Sequence, residues 1–172
     1  MLCWVVWCYP FAFRVPHRQK RRSITAAGPT GVGLALEGAG FFVALWFRQP
    51  VGVVRAALSL IPGPVAVWMA WGAVAHLGRQ FRISAGLYED HALVETGPYA
   101  VVRHPIYASL LALLAASLLL FTRGWWAAVA LAAFIAGTEI RVRTEDGLLA
   151  SRFGEEFERY RRRVPAYLPC VR

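Results

Sequence analysis

Apolar residues in this chain fall in long unbroken blocks, several of them close to the length of a bilayer crossing. Thr30 to Phe47 is such a block of 18 residues and Leu58 to Leu77 one of 20. A helix needs roughly 20 residues to cross ~30 Å of hydrocarbon, so both predict spanning helices. Pro62 and Pro64 should bend or break the second near its outer end, because each removes a backbone donor. Pro105 to Phe121 and Trp125 to Thr138 are separated only by Thr122, Arg123 and Gly124, which predicts a tight helical hairpin whose far ends share one face of the membrane. The second arm has 14 apolar residues, about 21 Å at ~1.5 Å per residue, too short to clear the hydrocarbon. Its helix must therefore continue through Glu139, Arg141 and Arg143 and put those charges at the headgroup level. The first 13 residues are also apolar, but a basic run follows them instead of preceding them. That is the wrong polarity for a cleavable signal peptide, and a short first span is expected.

Composition agrees with the pattern. Hydrophobic residues make up 58% and charged residues 17%, against roughly 25% charged in a soluble domain. The expectation is an all-α, polytopic transmembrane helix bundle of about five spans, forming a single membrane domain over residues 1–172. Residues 1–86 would supply the N-terminal spans, and residues 87–172 a cytoplasmic loop, the hairpin and a C-terminal amphipathic helix. The formal charge of +9 raises the question of nucleic acid. Placement answers it: five basic residues fall between Arg14 and Arg22, three between Arg79 and Arg103, eight between Arg141 and Arg172, and only Arg48, Arg55 and Arg123 lie elsewhere. That is the asymmetry of a multi-pass protein with those three clusters in the cytoplasm, and anionic lipid headgroups are the electrostatic partner. Cys3, Cys8 and Cys170 have neither metal-ligand nor redox-pair spacing, and no metal site is expected.

Two features inside the first long block bear on packing. Gly31, Ala35 and Ala39 recur at a four-residue step, a pattern that lets membrane helices approach closely, and contact inside the bundle is favoured over dimerisation. Glu37 lies mid-span, where an ionised carboxylate costs at least about 2.5 kcal/mol. It should face inward, either onto a polar cavity or as a hydrogen-bonded structural residue.

Chemistry concentrates between Gly78 and His104 and just after Thr138. A long ordered loop is often functional, and this one ends in Gly97-Pro98-Tyr99-Ala100-Val101-Val102-Arg103-His104-Pro105-Ile106-Tyr107. Pro105 suits the first helical position. The N–H groups of Ile106 and Tyr107 with the helix dipole then offer a place for a carboxylate or phosphate, and Arg103 and His104 add donors to the same spot. After Thr138, Arg141 and Glu145 are four apart and share a helix face, while Glu139, Arg143 and Asp146 line a neighbouring one. Phe153, Phe157 and Tyr160 then form an aromatic stripe on a charged segment, which describes an amphipathic helix lying in the interface, ended by Pro165 and Pro169.

Taken together, His91 to Val94, Gly97-Pro98-Tyr99, Arg103-His104-Pro105, Tyr107, Arg141, Glu145-Asp146, Phe153-Gly154, Tyr160 and Arg163-Val164-Pro165 resemble the isoprenylcysteine carboxyl methyltransferases and the related phospholipid methyltransferases. The resemblance covers Leu87 to Pro169, about half the chain. It implies that His91, Ala92, Leu93, Val94, Tyr99, His104, Pro105, Ile106, Tyr107 and Glu145 contact S-adenosyl-L-methionine, with Arg103 beside them, and that Arg141 faces the methyl acceptor. Arg141 and Glu145 are the expected catalytic pair. The family often has Glu where this chain has Asp146, and Gly where it has Ser109.

Methyl transfer from a sulfonium is an in-line displacement with an already activated donor, so alignment is the protein's main task. A bidentate Arg141 suits a carboxylate acceptor, which points to O-methylation of a lipid-linked carboxylate. N-methylation of a phospholipid amine is the nearest alternative. A sterol-type reductase using NADPH shares an Arg-His…Tyr signature, but such enzymes typically continue Tyr-x-Gly-Asp, and this chain reads Tyr107-Ala108-Ser109-Leu110.

Overall fold

The computed structural model describes residues 2–13, 23–25, 29–78, 86–88 and 92–169. In chain order these form α1 (Leu2–Phe13), β1 (Ser23–Thr25), α2 (Pro29–Trp46), α3 (Val53–Ser59), α4 (Pro62–Leu77), β2 (Gly86–Tyr88), a 3-10 turn (Gly97–Ala100), α5 (Pro105–Phe121), α6 (Trp126–Phe153) and α7 (Glu155–Arg163). The protein is helical, as the sequence pattern requires. An antiparallel ribbon of three residues per strand, β1 against β2, is an addition that no periodicity announced.

Helix boundaries follow local chemistry. Pro29, Pro62 and Pro105 each begin a helix, where the missing N–H is one the helix leaves unpaired anyway. The expected break in the second long block falls at Leu60 and Ile61, directly before Pro62, and splits it into α3 and α4. Gly124 and Gly154 adopt φ of +53°, a conformation that L side chains resist. One makes the turn between α5 and α6, the other ends α6 and starts α7. Among the described residues, two segments are long and apolar enough to cross a membrane: Pro29–Trp46 with 18 residues and Val53–Leu77 with 25. Leu2–Phe13 and Pro105–Phe121 are shorter apolar helices.

The main packing surface is between α2 and α6, which run antiparallel, while α5 lies along α4. The hairpin expected from Pro105 to Thr138 has its short turn, but its arms are splayed rather than tightly paired, each resting on an N-terminal helix. Ala44, Leu114, Ala130 and Phe134 form the core where α2, α5 and α6 meet. Met69, Val102, Tyr107, Ala108, Val142, Ala166 and Tyr167 form a second core between α4, the start of α5, α6 and the C-terminal segment. Helix α1 is joined to α4 and α5 by its indoles and backbone: Trp7 donates to Ser109 at 3.1 Å, Trp4 to Ser117 at 3.3 Å, and Trp71 to the Val6 carbonyl at 2.9 Å. In an apolar medium each such N–H needs a protein partner.

Two expectations need correcting. Gly31, Ala35 and Ala39 face outward; the stripe that packs inside is Gly33, Glu37, Gly40 and Ala44, all buried. A Cβ on Gly33 would lie 2.5 Å from Arg141 Cγ, and one on Gly137 2.5 Å from the Gly33 carbonyl. Small residues do bring the helices together, but on the opposite face. The two arginines just after Thr138 differ in their surroundings. The Arg143 side chain is 81% exposed, whereas that of Arg141 is 7% exposed and turned inward. Finally, the stripe carried by α7 is not turned to lipid: Phe157 and Tyr160 are buried in the protein, and the Tyr160 hydroxyl donates to the Tyr99 carbonyl at 2.6 Å.

These contacts predict asymmetric tolerance to one added methyl group. Gly137→Ala forces backbone against backbone and should destabilise by about 1–3 kcal/mol, the usual cost of overpacking. Gly31→Ala meets open space and should be close to neutral. Thermal unfolding in detergent compares the two, and equal midpoints would contradict the close approach.

Candidate functional site

The charged half of α6 passes the start of α5, and the residues expected to carry chemistry converge there. The 3-10 turn is seated first. Gly97 adopts φ of +62° with the His76 ring beside it, and a Cβ on Gly72 would fall 2.6 Å from Pro98 Cγ, so only glycines allow the turn to rest on α4. Tyr99 is buried within it. The chain then reaches Arg103 and His104, whose backbone N–H groups donate to the Pro165 and Ala166 carbonyls at 2.9 and 2.8 Å. The C-terminal segment thus fixes the approach to α5.

His104 lies between two adjacent carboxylates. Its Nε2 is 2.9 Å from Asp146 Oδ1, and its Nδ1 is 3.4 Å from Glu145 Oε2. Arg103 Nη2 donates to the other Asp146 oxygen at 2.8 Å, and its Nη1 donates to the Val164 carbonyl. The Tyr107 hydroxyl donates to Glu145 Oε1. On the same tyrosine, the Arg141 guanidinium carbon lies 4.8 Å from the ring centroid, a cation–π distance. Arg141 Nη1 in turn donates to Glu37 Oε2 at 2.6 Å, and Thr138 donates to Glu37 Oε1 at 3.1 Å. Acids and bases therefore alternate from the loop through α5 and α6 into α2.

Electrostatics follow from this arrangement. Burial alone would lower the His104 pKa, but its hydrogen bonds to Asp146 and Glu145 and their charges reverse the effect and push it up to about 9. Burial would raise Asp146, and His104 and Arg103 outweigh it to hold the carboxyl below its ordinary value. Burial pushes the Tyr99 hydroxyl up, with Tyr160 and then Glu145 adding to it. Glu145 is the most open of the three carboxylates: its side chain is 25% exposed, against 13% for Asp146 and 4% for Glu37.

Of the residues expected from sequence, Arg103, His104, Tyr107, Arg141 and Glu145 are brought into one cluster, with Pro105 buried as the first residue of α5 and Ile106 half-buried after it. Ala92, Leu93 and Val94 lie in the extended stretch leading to the 3-10 turn, with Ala92 exposed. His91 lies outside the described residues. The donors of Arg103 and His104, expected to point at a ligand, are largely engaged by Asp146, Glu145 and the C-terminal carbonyls. Three contributors were not anticipated: Asp146 as the partner of Arg103 and His104, the Pro165-Ala166 backbone, and Glu37 with Thr138 as partners of Arg141. The shorter Asp146 reaches both its partners. Ser109 accepts the Trp7 indole and returns its own proton to the Ile106 carbonyl at 2.7 Å. A Glu inside one apolar block and an Arg three residues past the end of another were the available signal for the Glu37–Arg141 pair.

The helical bundle thus gathers a partly exposed carboxylate, an aromatic ring and a paired arginine at one end. Residues 60–151, just over half the chain, match the model of the isoprenylcysteine carboxyl methyltransferase (ICMT) family, and the chain belongs to that family. It is 39% identical over 169 residues to the cobalt-zinc-cadmium resistance protein CzcN of Cupriavidus metallidurans, covering 86% of this chain and 73% of that one. It is 33% identical over 104 residues to a protein-S-isoprenylcysteine O-methyltransferase of Schizosaccharomyces pombe, covering 58% of this chain and 43% of the yeast protein.

The His104–Asp146 pair predicts a pH dependence of stability. His104 has a folded pKa above its ordinary 6.5, so its contribution is complete below about pH 6.5 and is lost as pH rises through about 9. Asp146 is lowered from 3.8, so its contribution is present above about pH 4 and is lost on further acidification. Melting temperature in detergent should fall between pH 7 and 9.5, and His104→Gln should flatten that alkaline limb. A wild-type profile already flat over this range would refute the pairing.

Proposed function

We propose that this membrane methyltransferase uses S-adenosyl-L-methionine to methylate the carboxylate of an isoprenylcysteine-like, lipid-linked acceptor at the cytoplasmic end of a multi-pass bundle. The observation that carries the reading is Tyr107, which links Glu145 on one side to Arg141 on the other. A cationic donor and an anionic acceptor need opposite charges on either side of a shared site, and Glu145 and Arg141 supply them.

The residues fit the cofactor by their chemistry. Glu145 is reachable, and its 3.4 Å contact with His104 is long enough to be exchanged for an α-ammonium. The helix start at Pro105, with the N–H groups of Ile106 and Tyr107, suits an α-carboxylate. Tyr99 and Tyr107 offer aromatic faces for a sulfonium or an adenine. When bound, the cofactor supplies an activated methyl group. Arg141 then orients the acceptor carboxylate, and the surrounding apolar helices exclude water. No general base is required, because a carboxylate carries no proton to remove.

The orientation rests on charge. Arg48, Arg55 and Arg123 gather at one end of the bundle, where Arg55 donates to the Leu118 and Thr122 carbonyls at 3.1 and 2.7 Å and the Arg123 backbone N–H donates to the Phe47 carbonyl at 2.9 Å. Arg103 and Arg141 belong to the opposite end, as do the helix termini adjoining the other basic clusters. That end is the cytoplasmic one by the positive-inside rule. The yeast relative's name supports the acceptor class. N-methylation of a phospholipid amine draws on Glu37, a carboxylate in contact with Arg141, but their mutual pairing leaves Glu37 poorly placed to accept a proton.

Glu145→Ala should abolish binding of S-adenosylhomocysteine by calorimetry, and unchanged affinity would remove Glu145 from the cofactor site. Incubation with labelled S-adenosyl-L-methionine should label an N-acetyl-S-prenylcysteine and not phosphatidylethanolamine; the reverse preference would establish the amine reading.

A further inference from the structure

The Glu37–Arg141 ion pair joins a helix outside residues 60–151, the stretch matched by the family model, to the arginine assigned to the acceptor. Glu37 is 3% exposed, and both its carboxylate oxygens are occupied, one by Arg141 Nη1 at 2.6 Å and the other by Thr138 at 3.1 Å. Gly33 and Gly137 bring the two backbones close at this point, a Cβ on Gly33 falling 2.5 Å from Arg141 Cγ and one on Gly137 2.5 Å from the Gly33 carbonyl. A rigid, fully engaged counter-ion therefore accompanies Arg141.

We propose that Glu37 is a positioning residue that sets how strongly Arg141 holds the acceptor carboxylate, so that the N-terminal span tunes the reaction. The argument rests on the function proposed above and on charge balance. In the transfer, a carboxylate oxygen forms a bond to the methyl carbon as the carbon–sulfur bond breaks. The bonding pair leaves on sulfur, so an anion and a sulfonium become a neutral ester and a neutral thioether. Negative charge on the acceptor decreases on the way to the transition state. An arginine at full strength would stabilise the ground-state carboxylate more than the transition state and so raise the barrier, because only differential binding accelerates a step. Glu37 takes up part of the guanidinium's charge and one of its donors. Arg141 can then orient the acceptor without holding it too tightly.

The consequence has a sign that mere structural damage would not produce. Glu37→Gln keeps a hydrogen-bond acceptor for Arg141 and removes the charge. In the purified full chain it should lower KM for an N-acetyl-S-prenylcysteine several-fold and lower kcat about ten-fold, while S-adenosylhomocysteine binding stays within two-fold of wild type. Equilibrium binding of the same prenylcysteine in the presence of S-adenosylhomocysteine should tighten in parallel, and Glu37→Asp should restore most of kcat. An unchanged or raised KM in a Glu37→Gln protein that still binds S-adenosylhomocysteine would overturn the positioning role and leave the methyltransferase reading intact. Failure of the wild-type chain to bind or methylate the carboxylate would overturn both.

Discussion

Charge in an apolar medium must be paired, and in this protein one pair governs much of the rest. Glu37 stands in the middle of a helix long enough to cross a membrane, and Arg141 is turned into the bundle to meet it. Removing one partner of such a pair typically costs about 3–5 kcal/mol, because the survivor is left buried and unpaired. The contact therefore fixes the register of α2 against α6 as firmly as any hydrophobic packing does. It also dictates the residues around it. Glycine at 33 and 137 is what allows two backbones to approach closely enough for a 2.6 Å contact, and Thr138 fills the remaining valence of the carboxylate.

From that anchor the site continues outward in alternating charge. Arg141 lies over Tyr107, Tyr107 donates to Glu145, and His104 joins Glu145 to Asp146 and so to Arg103. Each acid has a donor and each base has an acceptor, while the Nε of Arg103 is buried without a hydrogen-bond partner. Of the carboxylates, Glu145 is the reachable one, since it has the loosest contact to its histidine and the greatest exposure. Neighbouring carboxylates thus differ: Asp146 ties the loop to α6, and Glu145 keeps the greater exposure.

The sequence made some of this architecture legible and hid the rest, for identifiable reasons. The two helices long enough to cross a membrane, the break before Pro62 and the α5–α6 turn at Gly124 follow from apolar length and from proline and glycine chemistry, which are local. The motifs around His104 and Glu145 were legible because they resemble a family. The inward stripe on α2 was misread, since Gly31, Ala35 and Ala39 form as good a small-residue pattern as Gly33, Glu37 and Gly40, and nothing local says which face meets a neighbour. The partner of Arg141 was hidden because helix length limits where a backbone emerges but not which way a long side chain turns. The seating of α7 on Tyr99 through Tyr160 is a contact between residues 61 apart, beyond the reach of any periodic pattern.

The backbone of Pro165 and Ala166 receives the N–H groups of Arg103 and His104. Residues Pro165 and Ala166 thus brace a loop some sixty positions before them. The seating of His104 is therefore shared between distant parts of the chain, and a change of backbone at Pro165 is felt at the start of α5.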